Sequence, residues 1–184
     1  MAEPSYWADD YVKKTCKATE AIGRIRPGQR VFIGSSCGEP QHLVRVLSNA
    51  SADLADLEIV RLMSLETTPL TLIANKTKRS GLNIRQFYSG SARPSAIAQN
   101  ARFITPMNLS AVPRLFKSRR LPIHAALIQT TPPDDFGFVS LGVSVDITLA
   151  AALSADLVIA QVNPQMPRVL GRSFLHVNDV DLFV

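Results

Sequence analysis

Residues 34–38, Gly-Ser-Ser-Cys-Gly, place two hydroxyls and a thiol between two glycines, directly after an apolar run that we predict to be a strand. The segment satisfies the pattern G-x-S-x-G, in which a serine on a sharp turn between a strand and a helix acts as a nucleophile. In that interpretation Ser36 attacks the substrate, and Asp146 or Asp156 and then His176 follow in the required chain order. The pattern therefore allows a small α/β serine hydrolase.

The same loop allows two other kinds of chemistry. Backbone amides at a helix N-terminus attract phosphate, but Glu39 adds a negative charge there, Pro40 removes a donor, and the lysine of a P-loop is missing. Alternatively, the two glycines let a neutral or carboxylate-bearing acyl group approach the backbone closely, while the two serines supply hydroxyl donors. A plain strand-to-helix turn would need the same small residues, so composition alone leaves these interpretations open.

The other reactive side chains are predicted to have structural roles. We expect Cys37 to be a small buried residue, since Glu39 opposes a thiolate at this helix start. His124 begins an apolar strand and is expected in the core or at its edge, and His176 is expected to make structural hydrogen bonds. Two cysteines cannot build a disulfide framework or a cysteine-rich zinc site, and three separated histidines lack metal-ligand spacing. No metal site is therefore predicted.

Strands and helices alternate along the chain, and the strands are continuous apolar runs. This pattern is typical of an α/β fold: a three-layer, open, mostly parallel sheet with helices on both faces. Predicted helices occupy 7–22 (with Ser5 as N-cap), a segment starting near Glu39, 94–100, 108–118 and 145–153. Predicted strands occupy 30–33, 57–63, 83–88, 102–105, 123–129, 157–162 and 181–184, with an extended piece at 136–141 and an ambiguous segment at 69–74.

Ligands of open parallel sheets bind at the carboxyl ends of the strands. The segments predicted at that edge are 34–38, Ser64, 89–90, 130–133 and 163–167. We treat residues 1–184 as a single domain. Because the chain stops inside a predicted strand, we expect this domain to be part of a longer protein.

Length and composition exclude several classes of protein. The chain has 184 residues, of which 46% are apolar and 19% charged, which suits one domain with a sizeable core and excludes disordered and coiled-coil chains. No apolar run reaches the roughly 18 residues of a membrane span. The first ten residues lack the basic and apolar regions of a secretory signal. We therefore expect a cytoplasmic protein without membrane contact.

Positive charge is concentrated in the middle of the chain. The formal net charge is +5, yet residues 67–133 contain ten basic residues and no acidic ones. Such a segment either forms one basic surface that attracts anions such as phosphates, or places its charges on separate solvent-exposed helices and loops. Nucleic-acid binding is not expected, because no aromatic residues interleave the charges in a binding pattern.

Several segments together resemble the acetyl-CoA hydrolase/transferase family, which includes 4-hydroxybutyrate and acetate CoA-transferases. Each is weak alone, but they occur in the family's order and spacing over residues 22–184. They are 25–31 (IRPGQRV), 34–41 (GSSCGEPQ), 126–134 (ALIQTTPPD), 137–146 (GFVSLGVSVD), 162–168 (VNPQMPR) and 173–181 (SFLHVNDVD). Arg172 departs from the family, where an acidic residue is common.

The resemblance implies a CoA-transferase-type fold and a two-domain enzyme with its active site between similar halves. A glutamate of the C-terminal half attacks the acyl-CoA thioester and becomes a glutamyl-CoA thioester, which water or a carboxylate then resolves. The present chain would be the N-terminal half, with no catalytic residue of its own and no tightly bound cofactor. Acyl-CoA and a small carboxylate are the implied substrates, and the C-terminal domain and a second copy are the implied partners.

The resemblance also assigns the pocket. One wall beside the thioester would consist of Gly34, Ser35, Ser36, Gly38, Glu39, Pro40 and Gln41, and a neighbouring wall of Asn163, Gln165, Met166 and Pro167. We further hypothesise that the basic segment 67–133 attracts CoA phosphates, in which case neutralising Arg119 and Arg120 would raise the Michaelis constant for acyl-CoA. The alternatives are the Ser36 hydrolase, with His176 as its base, and a non-catalytic interaction or CoA-binding module.

Overall fold

Nine strands form two sheets in the computed structural model, which describes residues 6–50, 56–62, 83–88 and 102–184. The large sheet has seven strands in the order β4-β3-β2-β1-β5-β7-β9, and every neighbouring pair is parallel. A separate antiparallel pair joins β6 to β8. The strands are β1 Arg30–Ile33, β2 Glu58–Arg61, β3 Asn83–Gln86, β4 Arg102–Ile104, β5 Ile123–Thr130, β6 Phe138–Ser140, β7 Ala155–Val162, β8 Phe174–His176 and β9 Leu182–Phe183.

Helices cover both faces of the large sheet, which confirms the predicted three-layer α/β architecture. Alternate residues of one strand enter different cores: Phe32 packs on one face, while Val31 and Ile33 pack on the other. Because both faces are covered, the strands read as unbroken apolar runs. The described helices are α1 Trp7–Lys14, α2 Ala18–Ile22, α3 Gln41–Ala50, α4 Val112–Lys117 and α5 Thr148–Ala152.

The first predicted helix is two helices, which corrects our expectation of one helix over 7–22. The chain becomes extended at Thr15, whose backbone forms a parallel bridge with Phe183, and the Cys16 N–H donates to the Phe183 carbonyl at 2.9 Å. This pairing covers the outer edge of β9, the last strand of the sheet. A contact more than 160 residues away in the chain therefore ends α1, which no local pattern could indicate.

Two further differences concern short elements. Helix α3 begins at Gln41 rather than near Glu39, because a 3₁₀ turn, Ser36–Gly38, intervenes. Strand β8 was not predicted, since its three residues form a strand only by pairing with β6. The predictions for Ser5, Ser64, the segment 69–74, the loop 89–90 and the helix 94–100 lie outside the described residues.

An ion-pair network secures the amino edge of the sheet. Glu58 opens β2 and accepts hydrogen bonds from Arg30 Nε at 2.7 Å and from Arg85 Nε on β3. Arg85 also donates to Thr105 Oγ1 at 2.9 Å. Burial raises the pKa of the Glu58 carboxyl, but the hydrogen bonds and charges of the two arginines outweigh it, so its pKa lies below the ordinary value.

This network predicts a pH-dependent loss of stability on Glu58→Gln. A lowered pKa in the folded state means that the ionised network stabilises fully above the ordinary value of 4.5 and loses this contribution as the pH falls below it. We expect the substitution to reduce the free energy of unfolding by about 1–3 kcal/mol at pH 7. Urea unfolding from pH 7 to pH 3 should show this difference shrinking below pH 4.5.

The exposed Glu20→Gln on α2 serves as the control and should leave stability unchanged over the same range. A Glu58→Gln difference that stays constant down to pH 3 would show that the ionised network does not carry the effect.

Candidate functional site

Residues 34–38 continue β1 beyond the sheet and then turn sharply. The Gly34 N–H donates to the Leu127 carbonyl at 2.9 Å, so the chain leaves the ladder only after Gly34. Ser36 then has φ 46°, a left-handed conformation that non-glycine residues seldom adopt, and the Gly38 N–H closes the turn on the Ser35 carbonyl at 2.9 Å. Strained backbone of this kind is found where a loop must present a defined surface.

Close backbone approach explains both glycines of the loop. A Cβ on Gly34 would lie 3.0 Å from the Gly38 carbonyl oxygen, and one on Gly38 would lie 2.6 Å from Ser144 Cβ. The second distance is far below any van der Waals contact, so the loop fits against Ser144 only because position 38 has no side chain. The glycines therefore fix the packing of this loop, in addition to any room they leave for a ligand.

Asp146 joins the loop to helix α5. Its Oδ1 accepts hydrogen bonds from the Thr148 N–H and Thr148 Oγ1, both at 3.1 Å, and from the Ile147 N–H. The Asp146 carboxylate thereby satisfies the first N–H group of α5. The same oxygen accepts from Ser35 Oγ at 3.4 Å, and Ser35 is buried. Asp146 therefore bonds to Ser35, the neighbour of the proposed nucleophile Ser36.

The second predicted wall lies at the same edge, because β1, β5 and β7 are adjacent and parallel. The Asn163 N–H donates to the Thr130 carbonyl at 2.8 Å, and Asn163 Oδ1 accepts from the Gln165 N–H at 2.9 Å. Met166 is buried over Gly142, where a Cβ would meet its Sδ at 2.2 Å. The structure thus brings the segments 34–41 and 163–167 to one edge of the sheet, as the order of the predicted strands indicated.

Gln129 connects the two walls, and sequence reasoning missed it. Its Oε1 accepts from Asn163 Nδ2 at 3.0 Å, and its Nε2 donates to the carbonyl of the buried Glu39 at 3.4 Å. The Glu39 carboxylate itself accepts from Gln41 Nε2 at 3.1 Å. The sequence did contain an indication of this role, a glutamine at the end of an otherwise apolar strand. Burying an amide costs free energy unless it is hydrogen-bonded, so such a glutamine is expected to have partners.

His176 lies in the small sheet and makes hydrogen bonds to nearby residues of the chain. Its Nδ1 accepts from the Asn178 N–H at 3.2 Å, the structural role we expected, and its ring packs against Phe138 with centroids 5.1 Å apart. Asp156 belongs to the amino end of β7 and pairs with Arg119 at 2.9 Å. Within the described parts of the chain, the hydrogen bonds do not assemble Ser36, His176 and an aspartate into a triad.

Three expectations from the sequence concern Cys37, His124 and phosphate binding at the start of α3. Cys37 is exposed, so our expectation of a buried residue was wrong; its neighbours Ser35 and Gly38 fill the buried positions of the turn. His124 lies at the edge of the core, as predicted, and its Nδ1 accepts from the Arg30 N–H at 2.9 Å. The N-terminal amides of α3 at His42 and Leu43 are bonded by Gln161 Oε1, at 2.9 and 3.3 Å, which leaves less room for the phosphate interpretation.

The two arginines chosen for the CoA phosphates do not lie near this edge. Arg119 and Arg120 precede β5 and are therefore at the amino edge of the sheet, opposite the loop 34–38. The eight residues of β5 separate the two edges by about 26 Å at the usual rise per residue. Arg119 is also paired with Asp156 at 2.9 Å, and the hypothesis that these two arginines attract CoA phosphates stays a prediction.

The described residues form neither a cluster of metal-ligating side chains nor a helix that could span a membrane. Among them, no group of three or more His, Cys, Asp or Glu side chains comes together as a metal site. No helix in the same parts of the chain is long and apolar enough to cross a membrane.

Comparison with known proteins now decides the family. The family model described as the acetyl-CoA hydrolase/transferase N-terminal domain matches residues 3–184. The chain belongs to this family. The resemblance of the six short motifs is therefore confirmed over nearly the whole chain.

Relatives in this family are CoA-transferases. The chain is 39% identical over 178 residues to 4-hydroxybutyrate coenzyme A transferase of Clostridium kluyveri, covering 97% of this chain and 41% of the relative. It is 31% identical over 172 residues to the succinyl-CoA:acetate/propanoyl-CoA:succinate CoA transferase of Fasciola hepatica, covering 92% and 35%. The chain thus spans about two fifths of the length of these enzymes or less.

A solved structure confirms the fold. RipA from Yersinia pestis superposes with a TM-score of 0.85 at 24% sequence identity, covering 97% of this chain and 43% of RipA. The 4-hydroxybutyrate CoA-transferase of Porphyromonas gingivalis superposes with a TM-score of 0.73 at 24% sequence identity, covering 97% of this chain and 41% of that one. The three-layer sheet is therefore the fold of the CoA-transferase type that the resemblance implied.

Proposed function

We propose that this chain is the N-terminal half of an enzyme that moves CoA between an acyl-CoA and a carboxylate or water. In the proposed reaction a glutamate of the C-terminal half attacks the thioester carbonyl and expels the CoA thiolate. The product of this step is an acyl-glutamyl anhydride. The thiolate then attacks the glutamyl carbonyl, which releases the carboxylate and forms a glutamyl-CoA thioester. A second carboxylate reverses these steps, or water hydrolyses the thioester.

The observation that supports this role is the paired arrangement of the two walls. The small-residue loop 34–38 is held rigidly by Ser35, Gly38 and the network through Gln129, and the segment 163–167 stands beside it at the carboxyl edge. Such a surface binds and orients an acyl group without needing a charged side chain. Donors around the attacked carbonyl would stabilise its developing negative charge.

The described glutamates favour a nucleophile from outside this domain. Glu39 is buried within the loop, Glu58 is held by two arginines at the amino edge, and Glu20 is exposed on α2. Glu39 lies at the carboxyl edge, but its burial argues against a nucleophilic role, so we place the attacking carboxylate in the C-terminal half.

The test is CoA transfer by the protein with its C-terminal half, assayed with acetyl-CoA and butyrate or with butyryl-CoA and acetate. We expect exchange of CoA between the two acids. Borohydride added during turnover should reduce the glutamyl-CoA thioester on the protein and thereby stop the exchange. Hydrolysis of acyl-CoA to free CoA at the same rate with and without the acceptor acid would identify a hydrolase. Turnover that is insensitive to borohydride would contradict the glutamyl-CoA intermediate.

A further inference from the structure

Two glutamines stand side by side where the central strands end. Gln129 of β5 and Gln161 of β7 are direct cross-strand partners, and both follow apolar residues of the same face, Leu127 and Ile159. Amides at such positions cost free energy unless they are hydrogen-bonded. Their side chains form hydrogen bonds to the two walls of the candidate site and to the helix that follows one of them.

Gln161 holds the start of α3. Its Oε1 accepts from the His42 N–H at 2.9 Å and from the Leu43 N–H at 3.3 Å. The first N–H groups of a helix have no partner inside the helix, so the Gln161 side chain on β7 takes the place of an N-cap side chain. It thereby ties the end of the segment 34–41 to the sheet.

Gln129 makes two bonds of opposite polarity, one to each wall. Its Oε1 accepts from Asn163 Nδ2 at 3.0 Å, and its Nε2 donates to the Glu39 carbonyl at 3.4 Å. Gln129 as a whole is only 8% exposed, so water competes little for either bond. An amide offers both an acceptor and a donor from one terminus, whereas a carboxylate or an apolar side chain would keep one of the bonds or neither.

We propose that Gln129 is a positioning residue that sets the separation of the two walls and hence the acyl length accepted between them. Gln161 supports it by fixing the start of α3. The inference rests on the proposed function for its acyl selectivity, but the bonds themselves are independent of that function. A side chain that touches no substrate in this scheme thus decides which acyl groups fit.

The test compares Gln129→Met, Gln129→Glu and the control Ile84→Val in the protein with its C-terminal half. Met keeps the length of the side chain and loses both bonds, whereas Glu keeps the acceptor for Asn163 and repels the Glu39 carbonyl. Ile84→Val trims a fully buried residue of β3 on the same face of the sheet, outside both walls. The readout is the ratio of kcat/KM for acetyl-CoA to kcat/KM for butyryl-CoA.

We expect Gln129→Met to change this ratio about fivefold or more, Gln129→Glu to change it less, and Ile84→Val to leave it unchanged. The effects of Gln129→Met and Asn163→Ala on the ratio should not add, since one bond joins the two side chains. An unchanged ratio in a folded, active Gln129→Met protein would overturn the proposal.

Hydrogen exchange separates failure of this inference from failure of the proposed function. In Gln129→Met, peptides covering 39–43 and 163–168 should both exchange faster than in the unmodified protein and in Ile84→Val. Faster exchange in a protein that transfers no CoA would refute the proposed function and keep the positioning role. Unchanged exchange in both peptides would refute the positioning role, whatever the activity.

Discussion

Gly38→Ala is expected to lower kcat/KM for acyl-CoA by about 100-fold or more in the protein with its C-terminal half. The added Cβ would stand 2.6 Å from Ser144 Cβ and 3.6 Å from Ser144 Cα, so no rotation of the Ser144 side chain relieves the clash. The loop must instead move away from Ser144 and Asp146, which displaces the wall formed by residues 34–41. Steady-state kinetics and urea unfolding measure the effect, with a stability loss of about 1–3 kcal/mol.

Ser144→Gly supplies a direct test of that explanation. Removing the Ser144 Cβ makes room for the new side chain, so the double variant Gly38→Ala/Ser144→Gly should recover most of the activity lost by Gly38→Ala alone. Gly28→Ala is the matched control, since a Cβ at Gly28 meets nothing within 4 Å and Gly28 is remote from the loop. Its φ of 74° costs stability but should not affect turnover. Failure of the double variant to recover activity would show that the clash is not the cause.

The second large effect concerns the chain by itself. We expect residues 1–184 alone to cleave no acyl-CoA thioester above the uncatalysed rate, because in the proposed function the attacking carboxylate belongs to the C-terminal half. Adding that half as a separate polypeptide should restore turnover if the two parts associate. Release of CoA from acyl-CoA, followed with a thiol reagent, measures both results.

Ser36→Ala distinguishes the competing mechanism. In the proposed function Ser36 lines the pocket, so the variant of the complete protein should keep kcat within about tenfold of the unmodified value. A serine nucleophile would instead lose nearly all activity in the same variant. Steady cleavage by residues 1–184 alone that disappears on Ser36→Ala would establish the serine hydrolase and refute our proposal.

Much of this architecture follows from local sequence. The apolar runs at 30–33, 123–129 and 157–162 form three central strands because residues buried on both faces of a parallel sheet must be apolar throughout. The order of strands and helices then places 34–41 and 163–167 after two strands of one parallel sheet, which is enough to bring them to the same edge. The family also followed from the sequence, through six motifs in a fixed order.

The sequence by itself thus determined the layers, the edge that bears the candidate site and the family. Only the tertiary structure decided which side chains hold that site together: Gln129 between Glu39 and Asn163, Asp146 beneath Ser35, and Ser144 against Gly38. It also decided that α1 ends at Lys14 and that Arg119 lies at the far edge. The physical reason is that apolar periodicity is a local property of the chain. Hydrogen bonds and close contacts between residues 34 or more positions apart depend instead on the packed arrangement of the whole domain.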